Sequence, residues 1–414
     1  MKKITNIIVT ACSLIYLFPA GSCNKKETLP INVIPVASTV GHYSILNLSD
    51  FTTDVKYIPL ETNDSILVGA NHRLCYENGH ILISEIYNCQ LFDNTGKFCR
   101  KIGQRGQGPD EYILPEQTFI HDNIIFLHDH QKILSYDMNG SLIERINLWS
   151  NDIPEKYRVG TLRLLSLQRD IFVMDVNSSE GYYPKAILLE THQSGAKMIK
   201  EYPNFVILDK VRRGIMRGEN AIMYRFKDDV RTYKVINDTV FTIGQNTEMK
   251  EAFIFDLGRY KPALAFFEFR EGDPGSTAGR NYIHPLNIYE SLNYLFYRFD
   301  FGKYAPESVE LTNRQGGTYS MDDVCGVFDK RTGKLTLMRQ PIKGKFGFRN
   351  DIDGGPVIWP GYISSNNEIV TSVSVEEFLD YYSKTKNPTP QMTEIANNIQ
   401  WDDNPIVIVA KLKE

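Results

Sequence analysis

One stretch of the chain recurs about 44 residues later without a gap, and this repeat constrains the fold more than any other feature. The segment Ile81–Lys97 aligns onto Ile125–Ser141. In each copy a strand rich in β-branched and aromatic residues runs into an Asp-x-x-Gly turn, and a second strand returns. A period of this length is typical of one four-stranded blade. The repeat therefore predicts a β-propeller.

The Asp-x-x-Gly turns have a clear local chemistry. Asp93 and Asp137 are placed to accept hydrogen bonds from their own turns, and Gly96 and Gly140 supply the positive φ that a tight hairpin needs. Looser copies of the repeat follow: Ile171–Asp175 matches the second strand, and Val327–Lys334 matches the hairpin.

These signals give six blades. Their approximate ranges are 66–105, 113–150, 160–204, 218–258, 285–340 and 350–375. The last range is short of strands, but Asp54–Leu60 and Pro405–Leu412 are both strand-like. Pairing these two segments in one blade would close the ring and remove an exposed sheet edge. We therefore predict an all-β, six-bladed β-propeller closed by its N- and C-terminal strands, with one short helix over Val375–Ser383.

The N-terminus carries an export signal. Lys2 and Lys3 precede the apolar run Ile7–Phe18, which is too short to span a bilayer but suits a signal peptide. Small residues then lead directly to Cys23, in a pattern that resembles a lipobox, so Cys23 is the predicted lipidation site. The alternative is an ordinary signal peptide with a chance cysteine.

Three segments follow from this reasoning. They are a signal peptide (1–22), a lipidated cysteine with a flexible tether (23–45) and the six-bladed propeller (46–414). Removing the first segment takes away two lysines and changes the formal charge from −4 to −6. We therefore expect no nucleic acid partner, and membrane contact through the lipid anchor only.

The cysteines of the predicted mature domain give no metal signal. The spacing of Cys75, Cys89, Cys99 and Cys325 matches no zinc pattern. A bridge between Cys89 and Cys99 across a hairpin is one alternative, and buried free thiols in strands are the other.

The segment Lys101–Tyr112 resembles the inter-blade connector of NHL-type propellers and, more closely, that of six-bladed β-propeller lipoproteins of Bacteroidota. The resemblance extends to Tyr57–Glu61, to Asn350–Pro356 with Trp359 and Pro360, and to Asp403–Pro405. It implies the propeller fold and the cell envelope, but no particular activity. Lys25 and Lys26 differ from the acidic residues that often follow the cysteine in surface lipoproteins. An outer-membrane lipoprotein, periplasm-facing or surface-exposed, is expected.

Candidate ligand-binding residues lie on one face of the predicted ring. Arg105 and Gln107 belong to the connector, and Trp359 follows an Asp-rich loop. An acidic residue also ends each recognised second strand, and acidic residues at two further places in the sequence lie near the corresponding position of their blades. These acids are Glu85, Asp129 and Asp175, with Asp238 and the pair Asp322–Asp323.

Three interpretations of these acids stay open. They can cap turns or accept N–H bonds from the neighbouring blade, bind a cation, or form paired carboxylates for acid–base chemistry. For the cation, Asp351 and Asp353 have a calcium-loop-like spacing but lack the later Glu of a full EF-hand loop, so Ca²⁺ is a possible ligand. His128 and His130, with His121 nearby, are a second candidate metal pair, against the alternative of turn residues.

The sequence contains no Gly-x-Ser-x-Gly nucleophile elbow. We therefore expect a lipid-anchored binding or interaction module of the cell envelope, whose ligand is a glycan, a peptide or a protein partner. The alternative is a metal-dependent hydrolase or lyase with its site on the propeller face.

Overall fold

Six sheets of four or five strands and one two-stranded hairpin build the described part of the protein. The computed structural model describes residues 32–129, 131–148, 150, 152–157, 161–176, 184–192, 195–204, 221–234, 237–263, 280–312 and 316–414. The strands, helices and contacts of the protein are those of these residues.

The strands are β1 Val33–Ile34, β2 Tyr43–Ser44, β3 Lys56–Pro59, β4 Arg73–Glu77, β5 His80–Ser84, β6 Cys89–Asp93, β7 Phe98–Lys101, β8 Gln117–His121, β9 Ile124–Asp129, β10 Lys132–Asp137, β11 Leu142–Asn147, β12 Thr161–Gln168, β13 Ile171–Val176, β14 Ala186–His192, β15 Gly195–Tyr202, β16 Ile222–Phe226, β17 Asp229–Tyr233, β18 Thr239–Ile243, β19 Met249–Phe255, β20 His284–Glu290, β21 Tyr294–Asp300, β22 Val309–Thr312, β23 Thr318–Met321, β24 Asp323–Asp329, β25 Lys334–Met338, β26 Tyr362–Ile363, β27 Glu368–Val373 and β28 Ile406–Lys411. The helices are α1 Val36–Thr39, α2 Val375–Lys384 and α3 Pro390–Asn398, and the 3₁₀ turns are Leu48–Asp50, Glu155–Tyr157, Gly258–Tyr260 and Gly302–Tyr304.

Each of the six larger sheets is one blade. Blades 1 to 4 are β4–β7, β8–β11, β12–β15 and β16–β19; blade 5 is β20, β21, β24 and β25, and blade 6 is β26, β27, β28 and β3. The innermost strands of successive blades contact one another around the whole ring, from β4 through β8, β12, β16, β20 and β26 back to β4. The predicted six-bladed propeller is confirmed. The predicted short helix is present as α2.

The two ends of the domain meet in blade 6. Strand β28 lies between β27 and β3, and its Val407 is in register with Ile58 of β3. Ile406 and Val407 are completely buried. Asn404, just before β28, donates from its side chain to the carbonyl oxygens of Glu61 (2.7 Å) and Ile66 (2.9 Å). The predicted closure by terminal strands is therefore confirmed.

The prediction of a flexible tether is wrong for residues 32–45. Strand β1 pairs in parallel with β19, and β2 pairs in parallel with β25, so each adds a fifth strand to a blade. Ile34 and Val36 are fully buried. These short strands satisfy backbone groups that would otherwise lie exposed on two outer edges. Residues 1–31, with Cys23 and the signal peptide, lie outside the described residues.

The four cysteines of the described domain are free thiols. Cys75, Cys89 and Cys325 are buried in strands and Cys99 is half-buried. The structure thus favours the second of the two alternatives, free thiols without a bridge.

The hairpins between the third and fourth strands pack against the preceding blade. In blade 1 the Asp93 carboxylate accepts hydrogen bonds from the backbone N–H groups of Thr95 (2.8 Å) and Lys97 (3.1 Å). Gly96 has a φ of +87°, and a Cβ placed there would collide with the Pro59 carbonyl oxygen of β3. The glycine of this turn is therefore needed both for its φ and for the close approach of two blades.

Replacing Gly96 by Ala tests this double role. The positive φ alone costs about 1 kcal/mol, and the collision with the Pro59 backbone adds about 1–3 kcal/mol. Gly333→Ala is a matched control, because Gly333 also has a positive φ (+69°) but a Cβ added to it would meet no atom within 4 Å. Urea unfolding should show a clearly larger loss of stability for Gly96→Ala, and equal losses would contradict the packing argument.

Removing residues 404–414 tests the closure. This deletion takes away the whole of β28, which leaves β27 and β3 without their shared neighbour, so we expect no soluble folded protein. A truncation of Glu414 alone is the control and should fold. Expression followed by size-exclusion chromatography and circular dichroism gives the answer, and a well-folded 1–403 chain would contradict the closed ring.

Candidate functional site

The loops between second and third strands and the connectors between blades emerge at the same end of the ring, because successive strands alternate in direction. We call this end the upper face. The predicted residues Arg105 and Gln107 lie on it, in the connector between β7 and β8, and both are exposed. The Arg105 guanidinium carbon lies 4.2 Å from the centre of the Tyr87 ring. This is a cation–π contact between the connector and the second loop of blade 1.

The connector is held in one shape by its own backbone. Gly106 donates its N–H to the Tyr112 carbonyl (2.9 Å), and Tyr112 donates its own to Gln104 (3.0 Å). The Glu111 carboxylate accepts the N–H of Gly108 (2.7 Å). Side chains at the two glycines would meet this carboxylate. The Gly-Gln-Gly spacing is therefore explained by the fold of the loop, which presents Gln107 at its tip.

Five large apolar side chains are exposed in loops of the upper face, and one of them is Tyr87, which contacts Arg105. Between 38% and 59% of each of these side chains is exposed, and together they define the upper patch: Leu67, Ile86, Tyr87, Ile113 and Leu114. Hydrogen bonds join the three loops that carry them. The Glu85 carboxylate, in the same loop as Tyr87, accepts the N–H of Gly69 near Leu67 (2.5 Å), and the Tyr112 hydroxyl donates to the Tyr87 carbonyl (3.4 Å). The patch was not predicted from the sequence, although Ile86-Tyr87 and Ile113-Leu114 are apolar pairs placed in loops.

The acids that end the second strands fix these loops. Asp129 is buried and accepts the N–H groups of Ile113 (3.0 Å) and Leu114 (3.1 Å). Glu85 accepts the N–H of Gly69 (2.5 Å) in the connector that leads into blade 1. Both acids therefore hold a connector from beneath the upper patch. This geometry matches the first of the three interpretations, acceptance of N–H bonds between blades.

Each of the remaining acids of the predicted set forms an ion pair with a Lys or Arg side chain. Asp175 is fully buried, 2.7 Å from the Lys234 ammonium; burial raises its pKa, and the attraction of Lys234 opposes that rise. The other three acids form ion pairs with exposed or half-exposed basic side chains: Asp238 with Lys261 (2.8 Å), Asp322 with Arg280 (3.0 Å) and Asp323 with Arg298 (2.5 Å). The described acids thus have partners within the protein.

The two candidate calcium ligands accept hydrogen bonds from different places. Asp351 accepts the N–H (3.0 Å) and hydroxyl (2.6 Å) of Ser49. One oxygen of Asp353 accepts the Tyr57 hydroxyl (3.1 Å) and the Asn350 amide (2.7 Å). These bonds tie the connector between blades 5 and 6 to the N-terminal segment and to β3. The calcium site itself stays a prediction.

Trp359 packs against the core shared by blades 5 and 6. Its ring lies 5.6 Å from that of Phe348 and 6.0 Å from that of Phe296, measured between centroids. Its side chain is half-buried. A position between two aromatic rings fits a packing role more closely than a ligand platform, and its contact with a ligand stays a prediction.

In the described part of the chain, no group of three or more His, Cys, Asp or Glu side chains could hold a metal ion. His130 lies outside the described residues. His128 is fully buried, 3.7 Å from Glu116. His121 lies on the opposite end of the ring, with Nδ1 2.6 Å from the Ser166 hydroxyl and Nε2 3.6 Å from Asp122.

The His121, Ser166 and Asp122 side chains have the order of a Ser-His-Asp triad but not its access. Ser166 is completely buried, so a substrate carbonyl has no route to its hydroxyl. Burial and the nearby positive charge of Arg225 lower the pKa of His121 to about 4. The imidazole is therefore neutral over the physiological range and serves as a hydrogen-bond partner.

This lowered pKa predicts a pH dependence of stability. In the unfolded state the pKa of this histidine is near 6.5. Between about pH 6.5 and about pH 4 the unfolded state therefore binds a proton and the folded state does not, so the free energy of unfolding falls as the pH drops through this range. Urea unfolding at several pH values should show this slope reduced in His121→Gln. His72→Gln is the control, and an unchanged slope in His121→Gln would contradict the assignment.

The chain belongs to the family described as "Domain of unknown function (DUF4934)", whose family model matches residues 31–411. Among solved structures, an exported protein of Bacteroides fragilis is similar at 20% identity and a TM-score of 0.66, over 90% of this chain and 98% of that one. A member of the DUF4221 family from Bacteroides vulgatus is similar at 13% identity and a TM-score of 0.46, over 88% and 98%. No curated protein matches the chain.

The first of these likenesses supports the propeller fold, and the second is too distant to carry an argument. Neither the family nor the fold supports the alternative of a metal-dependent hydrolase or lyase. In the described part of the chain, no helix is long and apolar enough to cross a membrane.

Proposed function

We propose that the protein is a lipid-anchored interaction module of the cell envelope that binds a protein partner through the upper patch. The observation that supports this most directly is the exposure of five large apolar side chains on three hydrogen-bonded loops, with Arg105 stacked on Tyr87. Exposed apolar clusters of this kind mark interaction sites on soluble proteins.

The composition of the patch favours a protein over a glycan. Tyr and Arg are enriched where single residues contribute most to protein–protein binding, and the contacts that surround such residues exclude water from them. Buried Asp129 and the Glu85 carboxylate fix the loops before any partner arrives. Less conformational entropy is then lost on binding. Glycan and peptide ligands remain the other members of the predicted set.

The location rests on the N-terminal sequence. The lipobox-like residues before Cys23 support lipidation there, and with it an outer-membrane lipoprotein, periplasm-facing or surface-exposed. An anchor of this kind holds the propeller near envelope proteins, which raises the local concentration of a partner.

Affinity capture from envelope extracts tests the proposal. The double variant Ile86→Ser with Tyr87→Ala removes the centre of the patch and should lose a partner that the wild-type protein captures, with an affinity at least about tenfold weaker. Leu142→Ser is the matched control, because Leu142 is an exposed leucine on β11 away from the patch. Quantitative mass spectrometry compares the captured proteins. Identical partners and affinities for all three proteins would contradict the proposal.

A further inference from the structure

A groove lies on the rim of blade 6, between the outer strand β3 and helix α3. Its volume is 430 Å³, which lies in the range of small-ligand sites. Leu60, Ile395 and Ile399 give it an apolar floor, and polar side chains complete its lining. Gln391 of α3 is hydrogen-bonded to the backbone of Tyr57 in β3, accepting from its N–H (3.4 Å) and donating to its carbonyl (3.1 Å). The two walls are therefore fixed to each other.

The charge of this groove has one sign. Glu394 and Asp403 are its ionisable carboxylates, and none of the described residues that line it is basic. The C-terminal end of α3 also lies here, and its last turn holds no basic residue. The carbonyl groups at a helix C-terminus carry partial negative charge, which favours a cation. The carboxylate side chains and the C-terminal end of the helix therefore both favour a bound cation.

An exposed indole stands beside the groove. Trp401 is 79% exposed, the largest exposed fraction of the large apolar side chains described. It lies in a turn between the lining residues Ile399 and Asp403. Asp403 holds this turn by accepting the N–H of Gln400 (2.7 Å) and donating its own N–H to the Gln400 carbonyl (3.0 Å). The ring is thus displayed on a fixed turn, and it is a platform for a cation or an apolar group.

We propose that this groove binds a Lys or Arg side chain of an extended peptide segment in a partner protein, with the cation between Glu394 and Asp403 and its aliphatic stem on Trp401. Carboxylates and a helix C-terminus attract the charge, and an exposed indole attracts both the charge and the methylene groups. The site is on the rim of blade 6 and does not depend on the upper patch.

Isothermal titration calorimetry at low salt tests this site with a defined probe. The probe is an acetylated and amidated hexapeptide, Leu-Lys-Gly-Leu-Lys-Gly, and its matched control carries acetyl-lysine in place of lysine. The wild-type protein should bind the lysine peptide saturably and at least about tenfold more tightly than the neutral peptide. Glu394→Gln and Trp401→Ala should each weaken that binding about threefold to tenfold.

The exposed acid Glu376 on α2 gives the control variant, since Glu376→Gln removes the same charge from outside the groove. Its affinity for the lysine peptide should equal that of the wild-type protein. Circular dichroism confirms that each variant is folded. The proposal is overturned if the two peptides bind equally, if neither binds saturably, or if Glu394→Gln and Trp401→Ala bind as the wild-type protein does.

Discussion

The pairing of β28 with β3 is the constraint on which the rest of the structure depends. One strand comes from the C-terminus and the other from residues 56–59, and they close blade 6 between blades 5 and 1. The ring can close only when both ends of the domain are present. The N-terminal segment extends the same principle, because β1 and β2 add to the outer edges of blades 4 and 5. Asn404 joins the closing strand to the connector that enters blade 1.

Closure also positions the surfaces that we propose to be functional. The connectors that enter blades 1 and 2 are each held by an acid at the end of a second strand: Glu85 accepts the N–H of Gly69, and Asp129 accepts those of Ile113 and Leu114. Side chains that would be flexible on a free loop are thereby displayed on a fixed frame. Trp401 is presented in a similar way at the rim of blade 6, in a turn held by Asp403.

The sequence predicted the regular part of this fold because strand alternation and Asp-x-x-Gly turns are local signals. The positive φ of Gly96 and the pairing of the terminal strands followed from them, whereas the close approach of Gly96 to Pro59 did not. The sequence did not predict that residues 32–45 add strands to two blades, because two-residue strands leave no period to detect. Helix α3 was missed although Thr389 and Pro390 form a typical helix start. Long-range contacts were also beyond sequence reasoning: Asp351 with Ser49, and buried Glu290 with Arg231 (3.0 Å) and Lys330 (3.0 Å). The upper patch was not predicted because the exposure of a side chain is a property of the folded surface.

Native-state hydrogen exchange of the full domain tests the central claim, ring closure by β28 and β3, most directly. If closure couples all six blades, the amides of β28 and β3 that bond each other exchange only through global unfolding, with the same free energy as the amides of β5 and β13. Matching free energies in blades 1, 3 and 6 are the result that we expect. Exchange of β28 through a separate opening, at a free energy well below that of β5 and β13, would contradict the account.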